Sequence, residues 1–416
     1  MPYHDLHIID LSMPAPHPSS TLLAAFRNQD EAFPRAFAIL QEAINHQAFP
    51  ALSIAVTHQG SLVALKAMGN FTYDEQGAVH PSTLFDLASL TKVVATTTTA
   101  MLLYERGLLD LEAPVSAIVP EFTTDAAKDP RRHEVTLRML LAHSSGLPAH
   151  EKFFLKARNR AELLQAAFTT PLTANPNTRA EYSDIGFIIL GVALERLADE
   201  SLDRFSQREI FAPLAMTHTT FNPPLEIRAK IPPTADERPR SNEEPCGSDT
   251  PVRQLLEAQP PQSGSQAARS TFRGKLIQGE VQDENASILG GVAPHAGLFS
   301  TAEDLAKFAQ TMLNQGSPIL RPETIALFTR RESTPPGTSR ALGWDTPSAS
   351  SQSGKYFSPQ SFGHLGYTGT SLWIDPTRHL SITLLTNRTW PDCSNQAIKQ
   401  IRPNFHNAII EALNKD

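Results

Sequence analysis

The chain has 416 residues, of which 40% are hydrophobic, enough to bury a large core as one catalytic unit with two lobes. A net charge of −7 and a pI near 6.1, with no basic run, exclude a general nucleic-acid-binding surface. The two cysteines, Cys246 and Cys393, and the fourteen scattered histidines have no metal-ligand spacing, so neither a metal site nor a structural disulfide is expected. No apolar run is long enough to cross a bilayer. The opening MPYHDLHIIDLSMPAP lacks a cationic region followed by an apolar one. No secretory signal is read there, and a cytoplasmic chain is expected, with export only if the start codon is misassigned.

Residues 1–34 read as an N-terminal arm. RAFAILQEAINHQA (35–48) places Phe37, Leu40 and Ile44 at helical spacing, and ALSIAVTHQGSLVALKAMG holds two β-rich runs around Gln59-Gly60, a hairpin. In FDLASLTKVVATTTTAMLLYERGLLDL a short apolar approach gives way to a helix beginning near Ser89 and stopping at Gly107. From Leu109 to Pro223 the signals are mostly helical: VTLRMLLAHSS, NRAELLQAAF, DIGFIILGVALERLA and SLDRFSQREIF. Residues 232–270 are rich in Pro, Ser, Gln and charge and read as a disordered insertion or surface loop, with VRQLLEA as the one helical turn available to an ordered flap.

Beyond the insertion, Ser300-Thr301-Ala302-Glu303 opens a helix as a capping box and Gly316 closes it. SLWIDP and HLSITLLTNR read as strands. SNQAIKQIRPNFHNAIIEALN reads as a closing helix interrupted near Pro403. Strands at both ends with helices between predict an α/β fold, a mainly antiparallel sheet flanked by helices. Residues 35–108 and 292–416 would build the sheet domain. Residues 109–291 would form an inserted, mainly helical lobe. No internal repeat is present.

Three segments carry chemistry. In Ser89-Leu90-Thr91-Lys92 the i and i+3 side chains share a helix face, so the Ser89 hydroxyl and the Lys92 amine can point at one space. A serine alcohol needs an adjacent base, and a buried, deprotonated lysine can serve; the helix N-terminus offers N–H groups where an oxyanion would develop. In Glu181-Tyr182-Ser183-Asp184 either Ser183 or Asp184 caps the following helix. Tyr182 can face the cleft, where a phenol beside a cationic lysine loses its proton more readily. The third segment, Gly363-His364-Leu365-Gly366-Tyr367-Thr368-Gly369-Thr370-Ser371-Leu372-Trp373, is too glycine-rich for a strand unless something approaches its backbone closely, or it is a bulged edge strand with His364 satisfied in the packing.

The order S-x-x-K, Y-x-[N/D], [H/K]-x-G resembles that of the class C β-lactamases, low-molecular-weight penicillin-binding proteins and related esterases. VTLRMLLAHSSGLP, AGLFSTAEDLAKFAQ and GYTGTSLWIDP are similar too, and the resemblance spans roughly residues 35–410 without the insertion. It implies a β-lactamase/transpeptidase-like fold with Ser89 as acylated nucleophile and Lys92 as its proton acceptor or a local positive charge. Tyr182 would be the proton relay, and Asp184 would fix Lys92 and contact substrate. His364 and Gly366 would line the edge strand, and the N–H of Tyr367 would join that of Ser89 as an oxyanion hole. No cofactor is implied, and the partner would be a small ester, amide or peptidoglycan fragment bound by a chain expected to be monomeric.

Two departures bear on substrate. Leu365 stands where a Thr or Ser hydroxyl normally holds a β-lactam or D-alanine carboxylate, a bond to a charged group worth about 1.5–3 kcal/mol. His364 replaces the class C lysine and is mostly neutral at physiological pH. Asp184 stands where many relatives have Asn; it either favours the charged form of Lys92, shifting base duty to Tyr182, or turns away to cap its helix. Gln282 and Pro294 differ from the His and Gly expected in VQDENASILGGVAPHAGLFS. Asp283, Glu284 and His295 are therefore read as loop hydrogen bonding and packing under the cleft. These changes favour an esterase or non-lactam amidase. Penicillin-binding, DD-peptidase-like or β-lactamase activity, or a slowly deacylating sensor, is the alternative.

Overall fold

Small and aliphatic side chains alternate through β2 (Ala51–His58) and β3 (Ser61–Gly69), which pair antiparallel around a tight turn with positive φ at Gln59 and Gly60. β2 is buried on both faces, so it must lie inside the sheet. It does. Its other neighbour is β11 (Leu380–Thr386), followed by β10 (Ser371–Asp375) and β9 (Phe362–Leu365); β1 (Leu23–Ala24) adds to β3 in parallel at the far edge. The structure, a computed structural model, describes residues 22–74, 77–124, 129–238, 272–349 and 351–414.

The period of two sends alternate side chains to two cores. Leu52, Ile54 and Val56 of β2, with Ile382 and Leu384 of β11, pack under Phe37 and Leu40 of the Pro34–Asn45 helix and Phe405 and Ile409 of the Ile398–Leu413 helix. Ala51, Ala55, Leu372 and Ile374 face the opposite way, joining the Ala302–Leu313 helix and the helical lobe. Within that lobe the Asp184–Ala198 helix is buried continuously from Ile185 to Leu194. A small second sheet links lobe and main sheet: β8 (Leu298–Ser300) takes β4 (Phe85–Asp86) on one side and β5 (Thr220–Phe221) on the other.

Three expectations change. The closing helix runs unbroken through Pro403, which lies near its N-terminal end. Arg402 beside it is anchored by buried hydrogen bonds, and Phe405 and Ile409 hold the next turns to the sheet. The capping residue at 301 is Thr301, whose hydroxyl accepts from the Asp304 N–H; Ser300 belongs to β8 and bonds Thr219 instead. The insertion starts later than residue 232, because β6 (Ala235–Asp236) pairs with β7 (Leu276–Ile277). The remainder of it, including VRQLLEA and Cys246, lies outside the described residues, as does most of the N-terminal arm.

Arg402, 4% exposed, ties the closing helix to the turn between β9 and β10: it donates to the carbonyls of Gly366 (2.7 Å) and Thr370 (2.8 Å) and to Gln352 Oε1 (2.7 Å). Arg402→Met removes three buried hydrogen bonds at about 0.5–1.5 kcal/mol each, leaving Gln352 Oε1 without its donor while the Gly366 and Thr370 carbonyls keep their backbone partners. It should lower the thermal unfolding midpoint by several degrees in a circular-dichroism melt, and an unchanged midpoint would contradict this reading of the turn.

Candidate active site

The chain turns sharply before Ser89. Ala88 takes a positive φ of 47°, a conformation costing an L-residue about 1–2 kcal/mol. Asp86 holds it there, one carboxylate oxygen accepting from Ala88 N–H (2.8 Å) and the other from Gln282 N–H (2.7 Å). Burial pushes the Asp86 carboxyl up to about 6 against these bonds. Instead of one regular helix, a 3₁₀ turn (Ala88–Leu90) leads to a π-helical stretch (Lys92–Thr97) and then an α-helix (Thr98–Glu105). The Thr91 hydroxyl donates to Ala88 O and accepts from Leu298 N–H of β8. π-helical turns inside helices mark places where a side chain is re-aimed. Here that side chain is Lys92.

Lys92 is wholly buried. Its ammonium has three protons and three acceptors: Ser89 Oγ at 3.1 Å, Asp184 Oδ1 at 2.7 Å and the His295 carbonyl at 3.0 Å. Burial alone would lower its pKa, but Asp184 and Tyr182 outweigh it and the net shift is upward. Lys92 is therefore a charged ammonium, and of the two roles open to it in the sequence its carboxylate partner favours the local positive charge over the proton acceptor. Burial raises the Asp184 carboxyl, yet Lys92 and His150 together hold it well below the usual carboxylate range. Ser183 caps the helix, accepting from Gly186 N–H, so Asp184 is left to face Lys92. His150 Nδ1 lies 3.6 Å from the other Asp184 oxygen, and the pair keeps His150 above its ordinary value despite burial.

Tyr182, 8% exposed, is enclosed by cations and imidazoles: Lys92 Nζ is 4.8 Å from its ring centre, the Arg340 guanidinium 5.3 Å, His143 4.6 Å and His364 5.7 Å. Lys92 and Ser89 both act on its phenol to favour the ionised form. Burial, helped by the Asp184 charge, outweighs them and the phenol holds its proton at rest, although Lys92 does ease its loss, as the sequence leads one to expect. His143 accepts the Ser183 N–H on Nδ1 (3.0 Å), which assigns its proton to Nε2; burial and the charges of Arg340 and Lys92 keep it neutral.

The third segment forms the end of β9 and a tight turn. His364 is buried, with Nδ1 donating to Leu365 O (2.8 Å), and burial with the nearby Lys92 and Arg340 charges pushes it down to about 3. It is a neutral group behind the Tyr182 ring. Gly366 has no room for a side chain: a Cβ would sit 1.9 Å from Thr370 Oγ1 and 2.5 Å from Leu87 O. Thr370 and Thr368 donate to Leu87 O and Asp86 O, stapling the turn onto the backbone that leads to Ser89. Because His364 pairs with β10 and Gly366 N–H bonds Thr370 O, the intervening Leu365 directs its peptide groups to the outer edge, while the Tyr367 carbonyl, in the turn, accepts from Arg388 Nε (2.8 Å). That edge is partly taken, since Gly363 exchanges two hydrogen bonds with Asp345.

Ser89, Lys92, Tyr182 and Asp184 thus converge, with Gly366-Tyr367 packed against the nucleophile turn and His364 behind the phenol. Asp283 caps the Glu284–Ile288 helix and bonds His295 Nε2 (3.0 Å), as the loop reading expected. The His295 carbonyl on Lys92 was not foreseen, and neither were His143, His150 or Arg340. Only their type could have flagged them, because backbone carbonyls and isolated histidines carry no spacing signal. Among the described residues no His, Cys, Asp and Glu group could hold a metal, and no helix is long and apolar enough to cross a membrane.

The arrangement supplies a nucleophile, a fixed cation and a relay phenol around one alcohol, the needs of acyl transfer through serine. A family model described as Beta-lactamase matches residues 36–402. A "Putative D-alanyl-D-alanine carboxypeptidase" of Salmonella agona is 30% identical over 88% of this chain and 84% of its own. An N-acetylmuramyl-L-alanine amidase of Bacillus subtilis is 32% identical over 82% and 77%. The solved structure of EstCE1, a hydrolase with promiscuous acyltransferase activity, superposes with a TM-score of 0.69 at 20% identity, covering 92% of this chain and 99% of that one. The chain belongs to the β-lactamase family of serine hydrolases.

Proposed function

We propose that the enzyme cleaves an ester or amide of modest size through an acyl-enzyme on Ser89. The observation that carries this reading is the Lys92 ammonium 3.1 Å from Ser89 Oγ and 4.8 Å from the centre of the Tyr182 ring. With Lys92 already protonated, the base is the minor Tyr182 phenolate, which the ammonium stabilises. It takes the Ser89 proton as Oγ attacks the scissile carbonyl, and the new phenol then protonates the leaving group. The oxyanion is assigned to the N–H groups of Ser89 and Tyr367. In the second half water replaces the leaving group and attacks the acyl carbonyl as Tyr182 takes its proton; the bond from Ser89 Oγ to the acyl carbon breaks, and Tyr182 returns the proton to Oγ, releasing the acid. Leu365 without a hydroxyl and a neutral His364 favour an ester or non-lactam amide over a β-lactam. The names of the two curated relatives favour a peptidoglycan fragment as the source of that amide.

A fluorophosphonate probe should label wild-type enzyme and leave Ser89→Ala unlabelled; equal labelling of both would remove Ser89 from the chemistry. Intact-mass analysis with penicillin and with a p-nitrophenyl ester separates the alternatives. Ester turnover with no penicillin adduct is expected. A long-lived adduct would instead indicate a penicillin-binding sensor, and an adduct that returns quickly to free mass a β-lactamase.

The pH dependence follows from Tyr182. A base with a pKa above 10 is deprotonated in a fraction that rises tenfold per pH unit below that value. Enzymic kcat/KM should therefore climb from neutral into alkaline pH. Tyr182→Phe should cost on the order of 10²–10⁴ in kcat. Asp184→Asn removes an anion that raises the Tyr182 pKa, so the rising limb should move to lower pH. A profile that is flat in the wild type, or unmoved in Asp184→Asn, would contradict the phenolate base.

A further inference from the structure

The buried Glu237–Arg273 ion pair takes no part in the proposed chemistry, yet it connects to the nucleophile turn. Glu237, just after β6, and Arg273, just before β7, are brought together by that two-stranded ladder, with side chains 1% and 7% exposed. Arg273 donates to Glu237 from its backbone N–H (2.6 Å), from Nε (3.2 Å) and from Nη2 (2.6 Å). The guanidinium also forks onto two successive carbonyls, Nη1 to Val281 O at 2.7 Å and Nη2 to Gln282 O at 2.8 Å. The Val281 carbonyl shares its peptide with the Gln282 N–H, and that N–H donates to Asp86 Oδ2 at 2.7 Å. The other Asp86 oxygen holds Ala88 N–H, one residue before the nucleophile. The Gln282 carbonyl belongs to the peptide entering Asp283, whose side chain bonds His295 Nε2, and the His295 carbonyl accepts from Lys92. A cation on a peptide carbonyl strengthens donation from its N–H. A buried ion pair adds little net stability over apolar side chains of the same volume. What this one does is fix two peptides.

We infer that Arg273, held by Glu237, is a positioning residue for Ser89: it sets the 281–283 backbone on which Asp86 rests, and Asp86 bends the chain at Ala88. This rests on the acyl-enzyme reading above, in which Ser89 Oγ must meet the substrate carbonyl and the Tyr182 base together. A displacement of about 1 Å at such a point costs on the order of 10²-fold in rate. Arg273 acts through its charge as well as its fork. Burial pushes the Asp86 carboxyl up to about 6 against the Ala88 and Gln282 bonds; of the charges that bear on it, Asp283 raises it and Arg273 lowers it. Above that pH the carboxylate accepts from both N–H groups. Once it is protonated, one oxygen carries a hydrogen that competes with the N–H facing it, and the turn loosens.

The test is the pH profile of p-nitrophenyl ester cleavage, with active sites counted by fluorophosphonate labelling of Ser89. In the wild type log kcat/KM should rise with slope one above about pH 6, from Tyr182 alone, and with slope two below it, where Asp86 also titrates. Arg273→Met combined with Glu237→Gln removes both charges and leaves no buried carboxylate unpaired. It should move the break upward by about half a pH unit or more. It should also lower kcat about 10- to 100-fold per labelled site, with KM changed less than about threefold. Arg273→Lys keeps the charge and loses the fork, so the break should stay at the wild-type pH while kcat falls roughly tenfold. An unmoved break in the double variant overturns the inference. So does a wild-type kcat per labelled site in Arg273→Lys, a result that decides the matter even where the double variant does not fold. Fewer labelled molecules, each with wild-type kcat and break, would make the pair merely structural and overturn it too. Unlabelled wild type removes the acyl-enzyme reading and this inference with it, whereas labelled wild type with neither predicted change removes the positioning role alone.

Discussion

A positive charge with no access to water organises this molecule. Burying an ammonium is prohibitive unless it is paired and hydrogen-bonded, and Lys92 reaches that condition only where three separate pieces of chain meet. Asp184 comes from the first turn of the lobe helix, the His295 carbonyl from the loop before β8, and Ser89 from the turn that Asp86 bends into place. Each piece has its own support: Ser183 as cap, the Asp283–His295 bond, and the Thr91 bridge to β8. The nucleophile is therefore positioned by the same contacts that neutralise the cation.

The other half of the cleft is built by steric exclusion. The turn after β9 can lie against Leu87 because Gly366 presents no side chain, and it stays there because Thr368 and Thr370 bond the backbone carbonyls of Asp86 and Leu87. From behind, Arg402 occupies the Gly366 carbonyl, the other end of the peptide whose N–H belongs to Tyr367. A cation on the carbonyl of a peptide polarises its N–H toward stronger donation. One buried arginine thus connects the closing helix to the edge on which an oxyanion would rest.

Much of this was legible in the sequence. Period-two alternation gave the hairpin around Gln59-Gly60 and the two C-terminal strands, and because apolar strands bracket a helical middle, a sheet drawn from both chain ends followed. Ser89, Lys92 and Tyr182 stood out because serine chemistry needs those types in a recognisable order. Protonation states were not legible. They depend on enclosure: the sequence left Lys92 open between base and cation, which the Asp184 contact decides for the cation, and the phenol keeps its proton because burial outweighs the neighbouring charge. Pro403 misled because a proline is read as a break without knowing what anchors the turns around it. Arg340 and Arg402 were invisible for a different reason, since a lone arginine acquires meaning only from the distant residues it meets.

The charge on Lys92 is open to direct measurement. With ¹⁵N-labelled lysine, the Nζ resonance of residue 92 can be assigned by its loss in Lys92→Arg and followed with pH in the resting enzyme. An ammonium that keeps all three protons from pH 6 to about pH 10 is the expected result. Deprotonation near neutrality would contradict it, restore the lysine as base, and remove the reason for assigning proton transfer to Tyr182.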